Sequence, residues 1–161
     1  MAERFGMLMP AFRLAACFLR TARFFSVEKE VWGELPARMN QCYRLGIDIG
    51  STTVKVAVID DNNKILFADY ERHYANIQET LASLLKKCKG ELGELSLRPN
   101  ITGSGGLTLS GYLHIPFVQE VVAVATALQD YAPRTDVAIE LGGEDAKIIY
   151  FTGGIDQRMN G

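Results

Sequence analysis

Three short turns in this chain gather residue types that handle phosphate. The first is Asp48-Ile-Gly-Ser-Thr-Thr53, followed at once by Lys55. Gly50 lets backbone approach a ligand closely, Ser51, Thr52 and Thr53 add hydroxyls beside their N–H groups, and Lys55 brings a cation. Asp48, at the end of an apolar run, suits Mg²⁺, which keeps most of its waters and needs one or two carboxylates beside phosphate oxygens. A plain Gly-Ser reversal of the chain explains the same residues. The second turn is Thr102-Gly103-Ser-Gly-Gly106, and the third, Glu140-Leu-Gly-Gly-Glu-Asp-Ala-Lys147, repeats the plan of the first. There Gly142 and Gly143 give backbone approach, Glu144 and Asp145 are candidates to hold metal-bound water or orient an attacking one, and Lys147 stands in the outgoing strand. Two such hairpins can grip one polyphosphate from opposite sides; the alternative is a pair of unrelated turns. The Gly-x4-Gly-Lys-Ser/Thr spacing of a P-loop is absent, and no Gly-x-Gly-x-x-Gly leads from a strand into a helix.

The elements that must position these turns follow from periodicity. Tyr43 to Ile49 and Val54 to Asp60 read as strands joined by the first turn, and Ile65 to Arg72 as a third strand after the turn Asp61-Asn-Asn-Lys64. Asn76 then caps a helix whose apolar positions Leu81, Leu84, Leu85 and Cys88 recur at helical spacing, and Lys86-Lys-Cys-Lys-Gly90 predicts its stop. Arg98 to Thr102 is a strand, Val118 to Tyr131 a second helix, and Val137 to Leu141 and Lys147 to Phe151 are strands around the third turn. The order βββαβαβ, with a further strand, predicts an α/β domain: a mixed five-stranded sheet with helices packed on it. In such sheets ligands bind where strand ends meet helix starts, so function falls on the turns.

Composition narrows the classes. With 161 residues, 48% hydrophobic and 22% charged, and a net charge of −2, the chain is of single-domain size and lacks the basic excess of a nucleic-acid binder. No run approaches the roughly 20 apolar residues that span a bilayer, so no membrane partner is expected. Three widely spaced cysteines, Cys17, Cys42 and Cys88, fit neither a disulfide framework nor a metal knuckle, which points to a reducing cytoplasm. Residues 1–42 differ from the rest, with Arg4, Arg13, Arg20 and Arg23 interleaved with apolar residues. That extension reads as poorly ordered, as a short docking helix or arm, or as a targeting segment, although Pro10, Arg13 and Arg20 interrupt the apolar run a secretory signal needs. His73, at the end of the third strand, and His114 read as turn or surface histidines, and Cys88 as a buried thiol on a helix.

Together, Leu45-Gly-Ile-Asp-Ile-Gly-Ser-Thr-Thr-Val-Lys55, Thr102-Gly-Ser-Gly-Gly106 and Ile139-Glu-Leu-Gly-Gly-Glu-Asp-Ala-Lys147 resemble the ATP-binding segments of the 2-hydroxyacyl-CoA dehydratase activators. These are the CoA-substrate-specific enzyme activases, or BadF/BadG/BcrA/BcrD group, of the actin, sugar-kinase and chaperone ATPase superfamily. The resemblance covers residues 43–161 and implies a ribonuclease H-like N-terminal lobe with the second lobe absent. It further implies a cytoplasmic homodimeric ATPase that uses ATP/ADP and Mg²⁺ and passes one electron from an interfacial 4Fe-4S cluster to an acyl-CoA dehydratase or reductase component. Carried over by motif, Asp48 holds metal-bound water; Gly50, Ser51, Thr52, Thr53, Lys55 and Gly103 meet the nucleotide; and Gly142, Gly143, Glu144, Asp145 and Lys147 form the second phosphate face. Glu120 would polarise the attacking water, although an acid opening a helix equally complements the helix dipole. The family's Cys-Ala-(Ala/Gly)-Gly-Thr-Gly stretch, source of a cluster ligand, does not occur in this sequence, so no iron–sulfur ligands are expected here. A sugar or small-molecule kinase of the same superfamily, and a non-catalytic fragment, are the alternatives.

Overall fold

The β-branched run Thr53–Ile59 forms β2, which pairs antiparallel with β1 (Cys42–Ile49) on one side and β3 (Ile65–Arg72) on the other. Parallel to β1 lies β4 (Ser96–Thr102), giving the order β3-β2-β1-β4. The computed structural model describes residues 42–141, 146–151 and 156–160. Readings that fall on Gly142, Gly143, Glu144, Asp145 and, except for Cys42, on the first 42 residues lie outside these.

Successive side chains of a strand point to opposite faces, and here each face has its own helix. Leu45, Ile47 and Ile49 of β1 stand beside Val58, Val56 and Val54 of β2. With Phe67 and Ile101 they form a buried cluster closed by Leu81, Leu84 and Cys88 of α1 (Ile77–Leu92). Each large apolar side chain buried there contributes roughly 1.5–3 kcal/mol. On the opposite face Ala57 and Ile59 pack with Val118 and with Ala123 of α3 (Glu120–Tyr131). That second face also carries Asp48, Lys55 and Thr102, which share one register level across β1, β2 and β4.

Local signals were overridden in three places. Gly90 does not stop α1, which runs on to Leu92 and is closed by Gly93 at φ 77°. Leu92 packs against the core, offsetting the cost of about 1 kcal/mol for a glycine inside a helix. Asn76 does stand at the N-cap, but its carbonyl accepts the Thr80 N–H and hydroxyl while its side chain turns to Glu79. An unexpected helix, α2 (Gly106–Leu113), opens inside the second glycine turn.

The five-stranded sheet expected from sequence is not what forms among the described residues. The hairpin expected around the third turn does form, from β5 (Val137–Leu141) and β6 (Ala146–Tyr150), but with β7 (Asp156–Asn160) on β6 it makes a separate antiparallel sheet. The place beside β4 is taken by the link between α2 and α3, through a single parallel bridge, Ile101 to Phe117. The Ile101 N–H donates to Pro116 O, and the Val118 N–H to Ile101 O, both at 2.9 Å.

Candidate functional site

The β1–β2 connection is tight because the Gly50 N–H donates to Thr53 O at 2.9 Å. Asp48 and Lys55 are register partners across this turn, and Lys55 Nζ donates to Asp48 Oδ2 at 2.6 Å. Their side chains are 21% and 25% exposed, so both remain open to a further partner. A part-exposed pair of this kind adds only about 0–1 kcal/mol; its significance is the placing of an acid and a cation beside the exposed Ser51 and half-buried Thr52 and Thr53.

The second glycine turn packs directly on the end of β1. A Cβ on Gly103 would stand 2.2 Å from Ile49 O and 2.6 Å from Asp48 Oδ1, at a φ of +96° that side chains rarely adopt. Gly105 donates its N–H to Ile49 O at 2.9 Å, and a Cβ there would press on Ile49 Cγ2. These glycines bring two candidate loops together at Asp48. Thr102 lies at the same level, its hydroxyl buried and without a hydrogen-bond partner among the described residues. One part-exposed carboxylate with free hydroxyl capacity beside it is a donor set that fits Mg²⁺ held through water, with phosphate oxygens completing the shell.

The second hairpin repeats part of this arrangement. Glu140 and Lys147 are register partners across the β5–β6 turn, as Asp48 and Lys55 are across the first. Lys147 is 8% exposed, and its ammonium forms an ion pair with Glu120, the first residue of α3. Two of the expected site residues are thus joined directly. Gly142, Gly143, Glu144 and Asp145 lie outside the described residues.

His73 had been expected at a turn or surface and is instead buried, at 8% exposure, against the first turn. Its ring contacts Gly50 O at 3.2 Å, and its N–H donates to Thr52 O at 3.1 Å. The strand register is the signal that locates it: Arg72 pairs with Thr53, which sets the next residue beside Thr52.

The described cysteines do not fit an iron–sulfur cluster. Cys42 lies on β1 near the Ser96 hydroxyl, and Cys88 faces the core from α1, where burial, and secondarily Glu91, pushes its thiol up and keeps it protonated. No group of three or more His, Cys, Asp or Glu gathers among the described residues. Nor, among them, is any helix long and apolar enough to cross a membrane.

A mixed sheet with helices on both faces thus brings two glycine turns together at the end of one strand. No family model and no curated protein sequence matches the chain. Among solved structures it is similar to the (R)-2-hydroxyglutaryl-CoA dehydratase component A of Acidaminococcus fermentans, at 23% identity and a TM-score of 0.63 over 74% of this chain and 47% of that one. The activator of the 2-hydroxyisocaproyl-CoA dehydratase from Clostridium difficile, solved with bound ADPNP, gives 23% identity and 0.61 over 73% and 45%. The ethanolamine utilization protein EutJ of Carboxydothermus hydrogenoformans gives 15% and 0.54 over 74% and 52%. The chain spans about half the length of these structures. At such identities the likeness shows the fold.

Proposed function

We propose that residues 43–161 are the nucleotide-binding front lobe of an ATP-dependent activator that serves an acyl-CoA dehydratase or related reductase. The observation that carries this reading is the Asp48–Lys55 pair across the β1–β2 turn, with Gly103 packed against the same carboxylate. Support comes from the shared fold and from the nucleotide analogue bound to the Clostridium difficile activator. In this reading Ser51, Thr52 and Thr53 donate to phosphate oxygens, Lys55 neutralises their charge, and Asp48 holds the waters of Mg²⁺, an ion that bridges phosphate oxygens when bound. In the same reading Gly142, Gly143, Glu144 and Asp145 act with Lys147 as the second set of phosphate contacts, and Glu120, paired with Lys147, polarises the attacking water.

The 4Fe-4S cluster, the electron transfer and the homodimer belong to the activator family's pattern. Cys42, on a strand beside Ser96, and Cys88, buried in the core, are unsuited to a cluster. Cytoplasmic residence follows the same reading.

Calorimetric titration of the full chain with ADPNP tests it. Binding should require Mg²⁺, and Asp48→Asn should weaken it at least tenfold. Binding that ignores both Asp48→Asn and chelation of Mg²⁺ would sink the idea. ATP-dependent phosphorylation of an added hydroxyl acceptor would replace it with the kinase reading.

A further inference from the structure

We propose that His73 is the positioning residue of the candidate phosphate turn, fixing one peptide plane so that the Ser51 N–H faces outward to receive a phosphate oxygen. The inference rests on the nucleotide-binding reading and adds a role to a residue outside the three glycine turns.

His73 follows directly on β3 and makes contacts at both ring nitrogens and at both backbone groups. Its N–H donates to Thr52 O at 3.1 Å, which extends the β2–β3 ladder onto the turn. Its carbonyl accepts the Asn76 N–H at 2.6 Å. Ring Nδ1 accepts the Ala75 N–H at 3.1 Å. A backbone N–H only donates, so Nδ1 carries no proton in this arrangement; the neutral ring then bears its proton on Nε2. The atom facing Nε2, at 3.2 Å, is the Gly50 carbonyl oxygen, an acceptor. Both contacts therefore demand the same tautomer.

The backbone after His73 is bent to allow this. Tyr74 and Ala75 have φ values of 43° and 65°, consecutive left-handed residues with no glycine to ease them. Such strain persists where surrounding contacts over-determine it, and it clusters at functional sites. Burying Tyr74 is not what the strain achieves, because that side chain is 83% exposed. What the turn delivers is the Ala75 N–H to Nδ1, and with it the imidazole under Gly50.

The consequence for the turn follows from peptide geometry. Among the described residues every peptide bond is trans, and in a trans peptide C=O and the following N–H point in opposite directions. Holding the Gly50 carbonyl inward on His73 turns the Ser51 N–H outward, at an exposed residue next to the Asp48–Lys55 pair. A donor preset in this way needs no reorganisation when an anion arrives. In an unbraced glycine peptide the plane would rotate freely, and the donor would face the ligand only part of the time.

Two conservative variants separate the contacts. His73→Gln can reach Gly50 O with its amide nitrogen, whereas His73→Asn can accept the Ala75 N–H but stops short of Gly50. ADPNP with Mg²⁺ is titrated into the full-length chain of each, with thermal melts alongside, and the Ser51 amide is followed by NMR. The expected result is affinity within about threefold of wild type for His73→Gln and a loss of about tenfold for His73→Asn at a similar melting temperature. The Ser51 amide should shift on ligand addition only in the wild type and His73→Gln. Equal affinities for wild type and His73→Asn, while Asp48→Asn still weakens binding at least tenfold, would overturn the role of His73 and leave the nucleotide reading standing. Absence of binding by the wild type would overturn both.

Discussion

The two hairpins, β1–β2 and β5–β6, share one local plan and differ in how they are anchored. Each sets an acid opposite a lysine across a glycine-bearing turn, Asp48 with Lys55 and Glu140 with Lys147. The first lies at the centre of its sheet, with α1 on one face and α3 on the other, and Ile49, Val54 and Val56 are fully buried. Its lysine bonds the acid of its own hairpin. The second hairpin buries one face, with Ile149 and Lys147, and leaves Val137, Ile139 and Leu141 of the edge strand exposed. Its lysine reaches out to Glu120 on α3. Turn chemistry is therefore separable from anchoring: the first turn is held by the core around it, while the second adds to its one buried face an ion pair to a helix that packs on the first sheet.

The largest effect should come from the first anchor. Ile49→Ala removes a fully buried side chain packed on both α1 and the Gly105 turn, and it should cost about 2–5 kcal/mol in urea unfolding. A cost under about 1 kcal/mol would mean that the central hairpin is no better held than the edge one, and the contrast would collapse.

That contrast was only partly legible in the sequence. Alternation and β-branching located β1, β2 and β3, and the acid-glycine-lysine pattern located both turns, because those signals are local. The β5–β6 pairing was local too, but the sheet that this hairpin joins was not: five alternating residues fit the edge of either sheet, and the hairpin stands with β7 rather than beside β4. Strand β7 is polar in sequence and exists through its ladder with β6. Gly106, Ser110 and Gly111 hid α2, since each is a poor helix former. Pro99 sits inside β4 without breaking it: two residues on, Ile101 turns its N–H to the outer edge, and Pro99 shares that parity, so no ladder bond with β1 is lost. The burial of His73 was not legible, because only its register neighbours give it a role.

A smaller effect should distinguish the two ion pairs. Double-mutant cycles that neutralise Glu120 and Lys147 should give a coupling of about 1–3 kcal/mol, because Lys147 is nearly buried and removal of one partner leaves a desolvated charge. The same cycle on Asp48 and Lys55, whose lysine is more exposed than Lys147, should give about 0–1 kcal/mol. Reversal of that order would show that the second hairpin is not anchored through α3.

The smallest effect belongs to the exposed face of β5. Ile139 is 66% exposed and stands opposite Ile148 on the same face as Val137 and Leu141. Threonine keeps the β-branch and so the strand preference, while removing apolar surface from water. Ile139→Thr should therefore change the stability of this chain by no more than about 0.5 kcal/mol in the same unfolding assay. A loss of 2 kcal/mol or more would require Ile139 to be buried in solution, with that face of the second sheet covered as both faces of the first are.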